Sequence, residues 1–198
     1  MQMHVLTTSR RAARMLAIGA AAFACASALA QPAQPRGFSQ LVALSAARLD
    51  LSRQVALTKW GTGDPVADPP GDPREQEVVA AASREAVSRG LAGNVAAAFF
   101  SDQIEASKLV QFALLARWQR TGHAPADRRA DLRSELRPAL DRLRPLFIDE
   151  LIATRELREA ADCRQQLVGA TAVHVETHRL PPLLAIALDR GLARVCGG

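Results

Sequence analysis

The stretch ARLDLSRQVALTKW, Ala47–Trp60, is patterned as an α-helix and carries two cations on one side. Arg48 and Lys59 are almost three helical turns apart, so they lie on one face, roughly 16 Å from each other along the axis. Ser52 and Val55 lie on that face as well. Two cations in register on an otherwise apolar helix indicate a side that is directed at a bound group.

The rest of the chain extends this helical pattern. Alanine, leucine, arginine and glutamate dominate, and no segment alternates with period two for long enough to form a strand. The start of the second helix has a capping signal in Asp72, Pro73 and Glu75. We therefore predict an all-α, single-domain bundle of about six helices, in which Pro138 and Pro145 start, kink or interrupt the fourth helical stretch. The predicted stretches are 38–60, 73–90, 94–121, 127–161, 163–178 and 182–195.

The first thirty residues are predicted to be a cleaved signal peptide. Three arginines, Arg10, Arg11 and Arg14, precede a short apolar run that ends in Ala28-Leu29-Ala30. That run is shorter than the roughly 20 apolar residues that span a bilayer, so an uncleaved anchor is the less favoured alternative. We expect residues 31–198 to be the mature domain, periplasmic or secreted.

Two cysteines remain after residues 1–30 are removed, because Cys25 lies in the signal segment. Cys163 and Cys196 form an even pair in an exported protein, where thiols oxidise. We predict a disulfide that joins the last helix to the one before it, and a free pair is the alternative.

Charge and histidine content exclude several function classes. Removing residues 1–30 takes away three arginines and no acid, which lowers the net charge from +5 to +2, and no basic run with interleaved aromatics remains. We expect no nucleic-acid partner, and no membrane partner once the signal is cleaved. His174 and His178 have no third ligand nearby and are predicted to be surface residues. No C-x-x-C-H motif is present, which excludes covalent haem attachment, and we expect no metal site.

Further polar residues stand at distinctive places. Arg74 and Glu75 open the second helix, where free N–H groups favour an anion. Ser107 and Gln111 are four residues apart in DQIEASKLVQF, and Arg137 precedes a proline. Lys59 and Lys108 are the only lysines in a chain that otherwise uses arginine.

Each of these residues also has a purely structural explanation. Lys59 could stabilise a helix C-terminus. Arg74 could pair with Asp72 or Glu77, and Ser107 with Gln111 could form a core hydrogen-bond network.

The order and spacing of these motifs resemble the all-helical, AroQ-type chorismate mutases over essentially the whole mature chain. The motifs are R and K eleven residues apart, RE opening a helix, S-x-x-x-Q in a long helix, and LR-x-x-LD; the final cysteine pair resembles the exported γ subclass. The resemblance implies an isomerase that converts chorismate to prephenate by a pericyclic Claisen rearrangement, with no covalent intermediate and no cofactor, in a homodimer. The alternative is an exported, non-catalytic helical-bundle binding protein.

The resemblance also implies a role for each site residue. Arg48 and Arg137 would bind carboxylates with help from Ser107, and Glu75 would bind the ring hydroxyl. Lys59 would reach a carboxylate and the ether oxygen, and Gln111 would meet the ether oxygen, which makes these two residues, with Arg48, the catalytic candidates. Arg74 falls on the arginine that heads the second helix in that family. The full substrate-binding set is Arg48, Lys59, Arg74, Glu75, Ser107, Gln111 and Arg137.

Three departures from the family pattern leave alternatives open. The loop between Lys59 and Arg74 is longer than the family's usual one, which leaves the register of Arg74 open. Gly71 stands where some members have an acid, so that contact is either made by Asp68 or Asp72 or absent. Arg142 and Arg144 lie close to Arg137 in sequence and compete for its role.

Overall fold

A computed structural model describes residues 37–67 and 73–197, and within these residues every regular element is helical. The prediction of an all-α bundle is confirmed. The signal peptide and the expected contacts of Asp68 and Asp72 lie outside the described residues. The elements are α1 (Ser39–Thr62), α2 (Arg74–Ser88), α3 (Gly93–Thr121), a π-helical turn (Leu132–Leu136), α4 (Arg137–Ala153), α5 (Arg155–Glu159), α6 (Cys163–His178) and α7 (Pro182–Gly191).

The two long helices, α1 and α3, pack against each other at the centre of the bundle. Helix α2 packs on α3, α4 packs on α1 and α2, and α7 packs on both central helices. Phe99, Phe100 and Phe147 form an aromatic cluster in the core, with ring centroids 5.1 to 5.8 Å apart. Such apolar burial is the main favourable term in folding, and it fixes the relative positions of the helices that surround the candidate site.

The fourth predicted stretch, 127–161, is interrupted more than expected. Regular structure begins only at Leu132, because the Asp131 carboxylate accepts hydrogen bonds from the backbone N–H groups of Arg133 and Ser134, at 2.9 and 2.7 Å. Pro145 is accommodated inside α4, and a break at Thr154 separates α4 from α5. This break is why residues 37–67 and 73–197 contain seven α-helices, one more than predicted.

Two other predicted boundaries move. Helix α2 begins at Arg74, so Pro73 precedes the helix instead of occupying its first turn. Helix α7 ends at Gly191 and not at Val195, because the Leu192 N–H bonds to Leu188 and Asp189 in a tightening turn.

The end of the chain is attached to the bundle covalently and by hydrogen bonds. The predicted Cys163–Cys196 disulfide is present, with Cα atoms 5.8 Å apart. The Gln103 side-chain Nε2 donates to the Gly191 carbonyl at 2.9 Å, and the buried Asp102 carboxylate pairs with Arg190 and Arg194. These contacts hold α7 against α3.

Candidate active site

A cavity of about 160 Å³ opens between α1, α2, α3 and α4. All seven residues selected from the sequence line it, although they come from four helices. Among the described residues, its polar and charged lining consists of Arg48, Lys59, Arg74, Glu75, Ser107, Lys108, Gln111, Arg137, Asp141 and Arg144. Six of these described residues are cations and two are acids, so this part of the lining is complementary to a small anion.

Arg48 is the most deeply buried cation of the site. Its side chain on α1 is held by a hydrogen bond from Nη1 to the Gln103 carbonyl on α3, at 3.0 Å. Burial lowers the pKa of Arg48 from its usual value to about 10. The guanidinium therefore stays charged at neutral pH, and a planar fork fixed on one side is suited to orient a carboxylate.

Ser52, Ser107 and Gln111 form a relay of hydrogen bonds at the cavity wall. The Ser52 hydroxyl donates to the Arg48 carbonyl at 3.0 Å and lies 2.8 Å from the Ser107 hydroxyl. Gln111 Nε2 donates to Ser107 Oγ at 3.1 Å. Because Ser52 uses its hydrogen on Arg48, Ser107 donates to Ser52. The hydrogen-bond network that offered a purely structural explanation of Ser107 and Gln111 is therefore present, and it lies at the wall of the cavity.

Lys59 lies in the last turn of α1 and reaches over the loop that follows. Its Nζ donates to the Pro65 and Val66 carbonyls, at 2.7 and 3.0 Å. The Val66 side chain is buried and lines the cavity. Lys59 therefore connects α1, the loop and the cavity, and it also occupies the C-terminal position that favours a cation.

Arg74 and Glu75 are the first two residues of α2, and Arg137 is the first residue of α4. All three are partly buried and border the cavity. Of the two competitors of Arg137, Arg142 is exposed and absent from the lining, whereas Arg144 lines the cavity. The Arg144 Nε donates to Glu85 on α2 at 2.8 Å, so this arginine is engaged in an ion pair.

Lys108 is a lining residue to which sequence reasoning gave no role. Its Nζ lies 3.0 Å from Glu75 Oε2 and 2.6 Å from Glu105 Oε1. Burial lowers the pKa of Lys108, but hydrogen bonds and charge from the two glutamates outweigh it and raise that pKa overall. The signal that pointed to this residue was the rarity of lysine in the chain.

His174 and His178 stack on each other, with ring centroids 4.3 Å apart, and neither lines the cavity. Burial, followed by the neighbouring His178, lowers the pKa of His174. Among the residues that the structure describes, no group of three or more His, Cys, Asp or Glu side chains could hold a metal ion. In the same part of the chain, no helix is long and apolar enough to cross a membrane.

Fold and site together define a class of protein: an all-helical bundle with a cationic, small-molecule cavity between its helices. Comparisons with known proteins identify the family. The model of the family described as chorismate mutase type II matches residues 39–112. Two crystal structures of chorismate mutases are similar over nearly their whole length. The one from Burkholderia phymatum has a TM-score of 0.77 and 42% identity over 81% of this chain and 96% of its own. The one from Burkholderia thailandensis has a TM-score of 0.75 and 37% identity over 80% of this chain and 98% of its own.

Curated relatives agree with these structures. A secreted chorismate mutase of Mycolicibacterium smegmatis is 28% identical over 156 residues, 79% of this chain and 84% of its own. A secreted chorismate mutase of Mycobacterium tuberculosis is 26% identical over 158 residues, which are 80% of this chain and 77% of its own. The chain belongs to the type II chorismate mutase family, as the motif spacing predicted.

Proposed function

We propose that this protein is a chorismate mutase, which binds chorismate in the cavity between α1 and α4 and rearranges it to prephenate. The observation that carries the proposal is the convergence, among the described residues, of six cations and two amide or hydroxyl side chains on one small cavity. Chorismate is a dianion with two carboxylates, an ether oxygen and a ring hydroxyl. The cavity has a complementary group for each of them.

The reaction depends more on how the substrate is positioned than on side chains that transfer protons or form covalent bonds. A pericyclic rearrangement forms a C–C bond as a C–O bond breaks, without a covalent intermediate or an obligatory proton transfer. Arg48 and Arg137, with Arg74 at the head of α2, would hold the two carboxylates so that the flexible substrate stays in its reactive, chair-like conformer. Glu75 would accept a hydrogen bond from the ring hydroxyl.

Rate acceleration then comes from stabilising the negative charge that grows on the ether oxygen in the transition state. Gln111 Nε2 has two hydrogens, and its bond to Ser107 uses one, which leaves the second for the ether oxygen. The Lys59 ammonium would exchange a loop carbonyl for the same oxygen. Donors already placed around developing charge stabilise the transition state more than the ground state.

Ser107 has a more indirect part in this proposal than the family resemblance implied. Its hydrogen is directed to Ser52 and its oxygen accepts from Gln111. Its role is therefore to orient the Gln111 amide, and it would assist a carboxylate only after turning its hydroxyl away from Ser52.

The test is the decay of chorismate absorbance with the purified, disulfide-intact mature protein, with the product identified as prephenate. Conversion well above the uncatalysed rate is expected. A folded protein that binds chorismate without converting it would instead support the non-catalytic binding protein.

We further infer that residues 1–30 are removed on export and that the mature protein is a periplasmic or secreted homodimer. Its support is the signal-like sequence, the relatives named as secreted, and the family resemblance. N-terminal sequencing of the exported protein should begin at Gln31, and light scattering should give twice the mass of residues 31–198. An N-terminus at Met1 or a monomeric mass would contradict these two points.

A further inference from the structure

Lys108 occupies a place in the cavity that the proposed chemistry does not use. Its Nζ carries one positive charge and stands between two carboxylates, those of Glu75 and Glu105. The two partners differ in position. Glu75 lies on α2 and lines the cavity, whereas Glu105 lies one turn before Lys108 on α3 and is outside the lining.

The two ion pairs should therefore differ in effect. The Lys108–Glu105 pair is an i, i+3 pair within one helix, and the Glu105 side chain is 46% exposed, a setting in which ion pairs contribute little. The Lys108–Glu75 pair joins α3 to α2 at the cavity wall, and the Lys108 side chain is only 20% exposed. A bond across two helices fixes where the Glu75 carboxylate stands.

A carboxylate held in this way can still bind substrate. Its two oxygens accept about four hydrogen bonds in total, and Lys108 takes one position on Oε2. An ionised carboxylate is also an acceptor only, so a group that approaches it must donate. A ring hydroxyl does so, and a substrate carboxylate does not.

We propose that Lys108 is a positioning residue that holds the Glu75 carboxylate against the α3 side of the cavity as the acceptor for the substrate's ring hydroxyl. This inference rests on the proposed function. Lys108 is thereby a determinant of specificity for a hydroxylated ring, and it acts through Glu75 without touching the reacting atoms.

The experiment compares Lys108→Met with the wild type on two ligands. One is chorismate, and the other is an analogue with hydrogen in place of the ring hydroxyl, measured as a competitor of chorismate. Losing the orienting bond should raise the KM for chorismate about tenfold, the usual effect of one hydrogen bond to a charged group. The kcat should change less than about twofold, because the bond is made in ground and transition states alike. The inhibition constant of the analogue should not change.

Glu105→Gln is the matched control, since it removes the other carboxylate from the same ammonium. Its KM should equal that of the wild type. Lys108→Arg keeps the charge and should restore most of the affinity. Lys108→Gln gives the same comparison should Lys108→Met not fold, as judged by circular dichroism.

Two results would overturn the inference. A loss of affinity that is equal for chorismate and the analogue would mean that Lys108 acts on the carboxylates through its charge. An unchanged KM in both neutral variants would mean that the ion pair is only structural. A wild type that does not convert chorismate would instead refute the proposed function.

Discussion

At the scale of single residues, Gln111 shows how the site prepares a donor before substrate arrives. Its Nε2 is held by Ser107, and its Oε1 is buried without a hydrogen-bond partner among the described residues. A buried carbonyl oxygen left unpaired costs about 1–3 kcal/mol. The folded protein carries that cost at the cavity wall, which is consistent with a side chain selected for its action on a ligand.

Because an amide donates its hydrogens at any pH, Gln111 predicts a flat pH profile for the wild type. The kcat should be nearly constant from about pH 6 to about pH 9. Gln111→Glu should be active only where the new carboxyl is protonated, so its kcat should fall steadily as pH rises. The measurement is kcat against pH for both proteins, and a wild-type kcat that falls steeply above about pH 6 would contradict the role of Gln111.

Arg48 predicts a trade-off between stability and activity. A pKa lowered to about 10 means that folding penalises the charged form by roughly 3 kcal/mol at neutral pH, and the penalty fades only as pH rises above about 10. Arg48→Met should therefore raise the melting temperature while it lowers kcat/KM at least about a hundredfold.

Thermal unfolding near neutral pH and steady-state kinetics check both parts of the Arg48 prediction. Arg53→Met, an exposed arginine on the same helix, is the control and should change neither quantity. Lower stability for Arg48→Met would contradict the account of its burial.

At the scale of elements, the π-helical turn before α4 determines where Arg137 stands. Asp131 caps this turn, and hydrogen bonds from the Ser134 backbone and side chain hold the pKa of Asp131 below its usual value. A carboxyl with a lowered pKa stabilises the fold above its unfolded pKa, and that stability is lost as pH falls through the folded pKa.

Asp131→Ala should therefore lower the melting temperature at neutral pH and raise the KM for chorismate, because Arg137 follows the turn directly. Asp131→Asn keeps a neutral cap and should have the smaller effect. The gap in melting temperature between wild type and Asp131→Ala should narrow at acid pH, where the carboxylate is protonated. A difference in melting temperature that does not change with pH would contradict the capping role of the Asp131 carboxylate.

Helical periodicity explains which parts of the site could be predicted from sequence. Spacing on a helix places Ser107 with Gln111 on one face of α3, and the i, i+4 relation of Arg48 to Ser52 follows in the same way. Contacts between elements have no such period. The Lys108–Glu75 pair, the Lys59 bonds to the following loop and the pairing of Arg144 with Glu85 depend on how helices pack, so the sequence alone gave no indication of them.

At the scale of the whole molecule, the disulfide closes the end of the bundle. The bridge spans 33 residues from the start of α6 to the turn after α7. The same turn is held to α3 by the ion pair between Arg194 and Asp102. The Gly191 carbonyl accepts a hydrogen bond from the Gln103 side chain. The backbone carbonyl of Gln103 in turn accepts a hydrogen bond from Arg48. The covalent end is thus connected, through α7 and α3, to the site.

Replacing both cysteines by serine should reduce the free energy of unfolding by about 3–4 kcal/mol, the chain-entropy value for a loop of this length. Denaturant titration of the two proteins measures the difference. Because non-covalent contacts still hold α7, the double variant should keep its helical content and most of its kcat at room temperature. A change below about 1 kcal/mol would mean that these contacts alone determine the stability of the end.

The overall architecture was the most predictable feature, because composition and the lack of period-two segments already require helices. The positions where helices begin and are interrupted were less predictable. Residues 127–131 have a polar composition that a helix tolerates, and the choice of Asp131 as a cap depends on local backbone hydrogen bonds. Pro145 favoured an interruption, yet α4 continues through it while Arg89 bonds to its carbonyl at 3.2 Å.

In the proposed mechanism, Lys59 and Gln111 stabilise the negative charge on the ether oxygen of chorismate. The most direct test is the kcat for chorismate of Lys59→Ala and Gln111→Ala beside the wild type, with helical content monitored by circular dichroism. Each variant should lose about 3–4 kcal/mol of barrier stabilisation, a fall in kcat of about 10²- to 10³-fold, while it remains folded. A folded variant of either residue with the kcat of the wild type would contradict the claim.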